Sequence, residues 1–134
     1  KKYDIGAFFY VGGNDSMDTT DKLSKYTASK NIDIKIIGIP KTIDNDLCYT
    51  DHTPGFGSAA KYLATTMQEI TRDSEVYDLK SVLIVEVMGR RCGDIALQTG
   101  IACGATSILV PEIEFDIERD VISKIYELED KVND

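Results

Sequence analysis

Asp44 and Asp46 stand two residues apart in the stretch Pro40-Lys41-Thr42-Ile43-Asp44-Asn45-Asp46-Leu47. Side chains at i and i+2 of an extended segment point the same way, so the two carboxylates can share one site. There, one carboxylate can take the proton of an attacking hydroxyl while its neighbour orients that group or a Mg2+ shell. An Asx-rich surface turn is the other reading of these residues, because Asp and Asn are common in turns. The apolar, β-branched run from Ile32 to Ile39 that precedes them reads as a buried strand, and Pro40 ends it. Ligands of open α/β sheets bind at the carboxyl ends of the strands, which is where this pair falls.

Two further segments repeat that arrangement. Asp4 to Val11 is a strand pattern that runs into Gly12-Gly13-Asn14-Asp15-Ser16 and then a helical stretch from about Met17 to Lys30. Strand, glycine-rich turn and helix together can cradle a phosphate on backbone N–H groups and a helix N-terminus. Many strand-to-helix turns carry Gly-Gly only for geometry, and Asp15 complicates the phosphate reading. A carboxylate suits a helix N-terminus but repels phosphate. Later, Val82 to Val87 gives way to Met88-Gly89-Arg90-Arg91-Cys92-Gly93-Asp94, and a helix follows from Ile95 to Cys103. The planar guanidinium fork donates two hydrogen bonds at once, which suits a phosphate. Two arginines near the positive end of a helix dipole point to an anion.

The elements that must hold these residues alternate. Strands are predicted near 4–11, 33–39, 81–87 and 106–110, and helices near 17–30, 57–75, 93–103 and 117–132. Such alternation gives an α/β fold, a parallel sheet with right-handed crossovers and helices on both faces. The connection from Lys41 to Gly55 is longer than usual, as functional loops often are. In the last stretch, Val121, Ile122, Ile125, Leu128 and Val132 form the expected inner side of an amphipathic helix.

Composition narrows the class. With 134 residues, 43% of them hydrophobic, the chain can build one core. A net charge of −8 argues against nucleic acid or an anionic membrane surface as partner. No apolar run is long enough to span a membrane, and no signal-peptide pattern is present. Cys48, Cys92 and Cys103 lack CxxC spacing, which suits reduced thiols in a cytoplasm. His52 is the only histidine, so a nucleophilic cysteine has no matched base.

Three segments, Gly12 to Ser16, Gly38 to Asp46 and Glu86 to Asp94, together resemble phosphofructokinase motifs in the family's order and spacing. The similarity continues through Thr50 to Ala59 and through Val110 to Phe115, covering nearly the whole chain. The resemblance implies a three-layer α/β/α fold, incomplete at both ends. Residues 1–55 would be part of a phosphoryl-donor domain and residues 56–134 part of a fructose 6-phosphate domain. It implies that Asp44 is the general base for the sugar's primary hydroxyl. Thr42 and Asp46 would contact the sugar and orient the transferred group or metal. Met88, Gly89 and Arg90 match the segment holding fructose 6-phosphate, with Arg90 near the charge that develops in transfer. Gly12, Gly13, Asn14, Asp15 and Ser16 match the loop under the donor, which in that family is used with Mg2+.

Departures from the family pattern bear on the donor. ATP-using members mostly resemble Gly-Gly-Asp-Gly-Ser in the first loop, with Gly where Lys41 stands. Pyrophosphate-using members are similar to this chain at both Asp15 and Lys41. Asp15 adds bulk and charge where a nucleotide's α-phosphate would lie, while Lys41 can hold the departing phosphate of a short donor. Asn14 replaces a usual Asp, keeping an acceptor for the metal region but losing its charge. Homotetrameric members lend arginines between subunits, and one such position falls near Ser81, beside Lys80. The expectation is a cytoplasmic, glycolytic phosphotransferase that is a homo-oligomer when full length and makes fructose 1,6-bisphosphate from pyrophosphate. Its alternatives are an ATP-dependent enzyme and a non-catalytic subunit.

Overall fold

The computed structural model describes residues 3–133. By its internal contacts the chain divides into two compact units, Lys1–Thr42 and Ile43–Asp134. That division falls at 42/43, ahead of the functional boundary expected after residue 55. The reason is local: in the segment 43–55, Asn45 is hydrogen-bonded to Thr53 and to Asp94, all within the second unit.

The first unit is a β-α-β crossover. Strand β1 (Ala7–Gly12) lies parallel to β2 (Lys35–Pro40), in register from Ala7 opposite Lys35 to Gly12 opposite Pro40. Parallel neighbours need a long crossover, and helix α1 (Asn14–Ser29) supplies it and packs on both strands. Exposed pairs at helical spacing, Lys22 with Asp18 and Lys25 with Asp21, line its outer face. The helix stops where Asn31 turns left-handed at φ 51°. Pro40 does end β2, but the strand is not buried throughout. Ile36 and Gly38 are half-buried, while Ile37 and Ile39 are exposed.

The second unit is helical. Helix α2 (Phe56–Ser74) packs against α3 (Asp94–Cys103), and the Gln68 amide donates to the Ala102 carbonyl at 3.2 Å. Phe56 and Ile95 form its buried apolar centre, Ile95 with no exposed surface. A π-helical stretch (Glu118–Ile122) then leads into α4 (Ser123–Asn133). Val121, Ile122 and Ile125 are half-buried as expected, but Leu128 is 44% exposed. The side chain of Val132 lies outside the described residues. Lys80 donates to Glu129 at 2.7 Å, so within this chain it answers a carboxylate.

The α/β class holds, with a parallel ladder followed by helices. Two of the four expected strands are absent as ladders: residues 81–87 and 106–110 form no strand. A β-branched run becomes a strand only where another strand accepts its N–H and C=O groups. Among the described residues nothing pairs with either run, and Val82, Leu83, Ile84 and Val85 are all exposed. No helix of the described residues is long and apolar enough to cross a membrane.

Thr99, on the buried face of α3, has an Oγ1 without a hydrogen-bond partner among the described residues. Removing a buried, unmet hydroxyl by an isosteric change is neutral or stabilising. The Thr99→Val form of the full-length protein should therefore melt at or above the wild-type temperature. A fall of more than about 4 °C, on the order of 1 kcal/mol for a domain of this size, would mean the hydroxyl is satisfied in solution.

Candidate active site

In the first unit, the glycine-rich turn and Lys41 meet at the carboxyl ends of the two parallel strands. The Lys41 N–H donates to the Gly12 carbonyl at 2.9 Å. Gly12 is buried under α1, and a Cβ there would stand 2.1 Å from Ser16 Oγ, so only glycine fits this strand end. The helix begins at Asn14, three residues earlier than the sequence pattern suggests, and takes Asn14, Asp15 and Ser16 into its first turn. Gly13 caps it, and no side chain bonds to the cap. The open N–H groups at this end form the kind of surface that receives phosphate oxygens. Asp15, exposed within that turn, brings a fixed negative charge to the same place.

In the second unit, Asp44, Glu86, Val87, Met88, Gly89 and Arg90 line an open cleft of about 660 Å3. The expected base and the expected sugar-phosphate segment thus meet, although 42 or more residues of chain separate them. Asp44 is half-buried, whereas Met88 and Arg90 are exposed at the rim. Gly89 adopts φ 132°, and a Cβ on it would lie 2.2 Å from the Cys92 carbonyl oxygen. The tight turn presenting Arg90 therefore requires glycine.

The premise for pairing Asp44 with Asp46 does not hold. Asn45 between them has φ 61°, so the segment is not extended and alternate side chains need not share a side. Asp46 is exposed and is not among the residues lining the cleft. Thr42 is the last residue of the first unit. Glu86 does line the cleft, and its signal was an acid near the end of an otherwise apolar run.

Hydrogen bonds behind the cleft fix this geometry. The Asn45 side-chain amide donates to Asp94 Oδ2 at 2.5 Å and to the Asp51 carbonyl at 3.1 Å, while its Oδ1 accepts the Thr53 N–H at 2.9 Å. The Cys92 thiol donates to the Asn45 carbonyl at 3.6 Å. Burial pushes the Cys92 thiol above its ordinary pKa, and the carboxylates of Asp94 and Glu112 act in the same direction. At the start of α3, the Gly93 N–H donates to Glu112 Oε1 at 2.7 Å. The positive end of this helix thus has a resident anion, and the arginines before it are not needed to supply a reason for one.

Among the described residues, no three His, Cys, Asp or Glu side chains gather as a metal cage. Magnesium seldom uses one, since it is held by one or two carboxylates with waters and substrate phosphates.

A profile of the family described as Phosphofructokinase matches residues 1–134. The chain belongs to the phosphofructokinase family. It is 44% identical over 126 residues to a pyrophosphate–fructose 6-phosphate 1-phosphotransferase of Methylococcus capsulatus, covering 89% of this chain and 30% of that protein. It is 43% identical to an ATP-dependent 6-phosphofructokinase of Clostridium tetani, covering 87% of this chain and 34% of that protein. The crystal structure of a pyrophosphate-dependent phosphofructokinase from Nitrosospira multiformis superposes with a TM-score of 0.80 at 41% identity, over 96% of this chain and 34% of that one. The chain therefore spans about a third of the length of these phosphofructokinases.

Within this phosphofructokinase chain the thiols should differ in reactivity. Cys48 is exposed, while Cys92 is half-buried with a raised pKa. The thiolate is the form that alkylates. At pH 8, mass spectrometry should find iodoacetamide on Cys48 several-fold faster than on Cys92. Equal rates would show that Cys92 is not packed as described.

Proposed function

We propose that this chain is part of a 6-phosphofructokinase that phosphorylates the primary hydroxyl of fructose 6-phosphate to give fructose 1,6-bisphosphate, with pyrophosphate as donor. The observation that carries the reading is the meeting of Asp44 with Met88, Gly89 and Arg90 in one cleft. Asp44 takes the hydroxyl proton as the sugar oxygen attacks. Arg90 faces the negative charge that spreads over the transferring phosphoryl oxygens, and with Met88 and Gly89 it holds the sugar phosphate. Positioning and electrostatics supply nearly all catalysis of such a transfer.

On the donor side, the N–H groups of Gly12, Gly13, Asn14, Asp15 and Ser16 receive the donor phosphates. Lys41 offers its ammonium to the departing phosphate. Mg2+, when bound, neutralises charge on the donor. The amide oxygen of Asn14 is the group of the donor loop that would hold it. Relatives using either donor stand at 44% and 43% identity, so overall similarity does not separate them. Asp15 and Lys41 do. A carboxylate in the first turn of α1 repels a nucleotide's α-phosphate, and a cation beside Gly12 suits a short inorganic donor. The same reading gives the full-length enzyme a cytoplasmic setting, a place in glycolysis and a homo-oligomeric state.

Removing the base tests the chemistry. In the full-length protein, Asp44→Asn should bind fructose 6-phosphate nearly as wild type while kcat falls ~100-fold or more. Near-normal turnover would remove Asp44 from that role.

Donor selection has its own test, made by measuring kcat/KM for pyrophosphate and ATP. Wild type should use pyrophosphate far better. Asp15→Gly should improve ATP use, since relief of a repulsion of a few kcal/mol is worth ~100-fold in rate. Lys41→Gly should instead damage pyrophosphate use. A wild type that prefers ATP, or unchanged ATP use by Asp15→Gly, refutes the donor assignment and leaves the reaction class standing.

A further inference from the structure

Asn45 stands between the two aspartates, and its side chain and carbonyl reach Asp51, Thr53, Cys92 and Asp94. Its Nδ2 reaches Asp94 Oδ2 at 2.5 Å and the Asp51 carbonyl at 3.1 Å. Its Oδ1 receives the Thr53 N–H at 2.9 Å, and its carbonyl receives the Cys92 thiol at 3.6 Å. Every hydrogen-bonding group of the side chain is used. These contacts hold its backbone at φ 61°, a conformation that Asn tolerates better than other non-glycine residues. The partners lie on both sides of the cleft's foundations: Asp51 and Thr53 in its own loop, Cys92 and Asp94 in the turn that follows Arg90.

We propose that Asn45 is the positioning residue of this site and that Asp94 is its anchor. Resting on the phosphofructokinase reading, the inference assigns the geometry of the base to this pair. The peptide that leaves Asp44 is the one that Asn45 fixes, so the direction of the Asp44 carboxylate is set through Asn45. The turn carrying Gly89 and Arg90 folds back on Cys92, and Cys92 and Asp94 hold Asn45. Base and guanidinium are thereby referred to one point. The hydrogen bond to Asp94 is charge-assisted and half-buried, the strongest kind available to an amide. Neither residue touches the cleft, so neither is a catalytic residue.

The test uses the full-length enzyme, with pyrophosphate and ATP each tried as donor. Asn45→Asp sets two carboxylates against each other and removes the donor. It should lower kcat by ~10- to 100-fold, the scale of a misplaced reacting group, with KM for fructose 6-phosphate within a few-fold of wild type. The reversed pair, Asn45→Asp with Asp94→Asn, restores a donor and a carboxylate across that gap, although the Asp51 carbonyl loses its donor. It should recover part of the lost kcat. If Asn45→Asp does not fold, Asp94→Ala keeps the question open to measurement, since it removes only the anchor and should lower kcat ~10-fold at unchanged KM. Wild-type kcat in either single variant, or no recovery in the reversed pair, overturns the positioning role. A wild type inactive with both donors is a different result: it overturns the phosphofructokinase reading, and this inference falls with it.

Discussion

The side-chain amide of Asn45 is hydrogen-bonded to three residues in two segments of the second unit, and the cleft depends on that geometry. A loop of this length between a strand and a helix has many conformations of similar energy. Fixing one of them costs about 1–2 kcal/mol per residue in backbone entropy. Asn45 offsets part of that cost because its amide offers both donors and an acceptor, and because it accepts a left-handed backbone. Gly55 at φ 94° then turns the chain into α2. Asp44 lines the cleft on a loop that Asn45 ties to Thr53 and Asp94.

The first unit solves a different problem with different means. Six residue pairs of parallel register bring Gly12 level with Pro40, so that the N–H of the next residue, Lys41, donates to the Gly12 carbonyl. The close approach of α1 to Gly12 leaves the helix's first N–H groups uncapped by any side chain. Uncapped donors and the exposed carboxylate of Asp15 therefore stand in the same turn. That balance is local to α1 and β2. It would be lost by extending the glycine turn or by capping the helix with a side chain.

The start of α3 already has Glu112 on its Gly93 N–H and Asp94 in its first turn. The helix dipole is therefore answered from within. Arg90 is left at the rim of the cleft, exposed and turned out by Gly89, where an external anion can meet it.

The amino-acid sequence by itself determined the β-α-β start, all four helices to within a few residues, and the set of chemical groups. Those features are carried by local patterns: apolar periodicity, glycine turns, and three motifs in order. The family resemblance marked Thr42, Asp44, Asp46, Met88, Gly89 and Arg90 as a group, and of these Asp44, Met88, Gly89 and Arg90 line one cleft. Tertiary structure decided the rest. Whether 81–87 and 106–110 are strands depends on a partner strand, which no pattern within the run can supply. That Asp46 leaves the cleft depends on one left-handed residue, Asn45, whose conformation is fixed by Asp94 and Cys92 far along the chain. The entry of Glu86 depends on which side of a turn faces a loop 40 or so residues earlier. Spacing names the groups that can react; only contacts between distant segments decide which of them face one another.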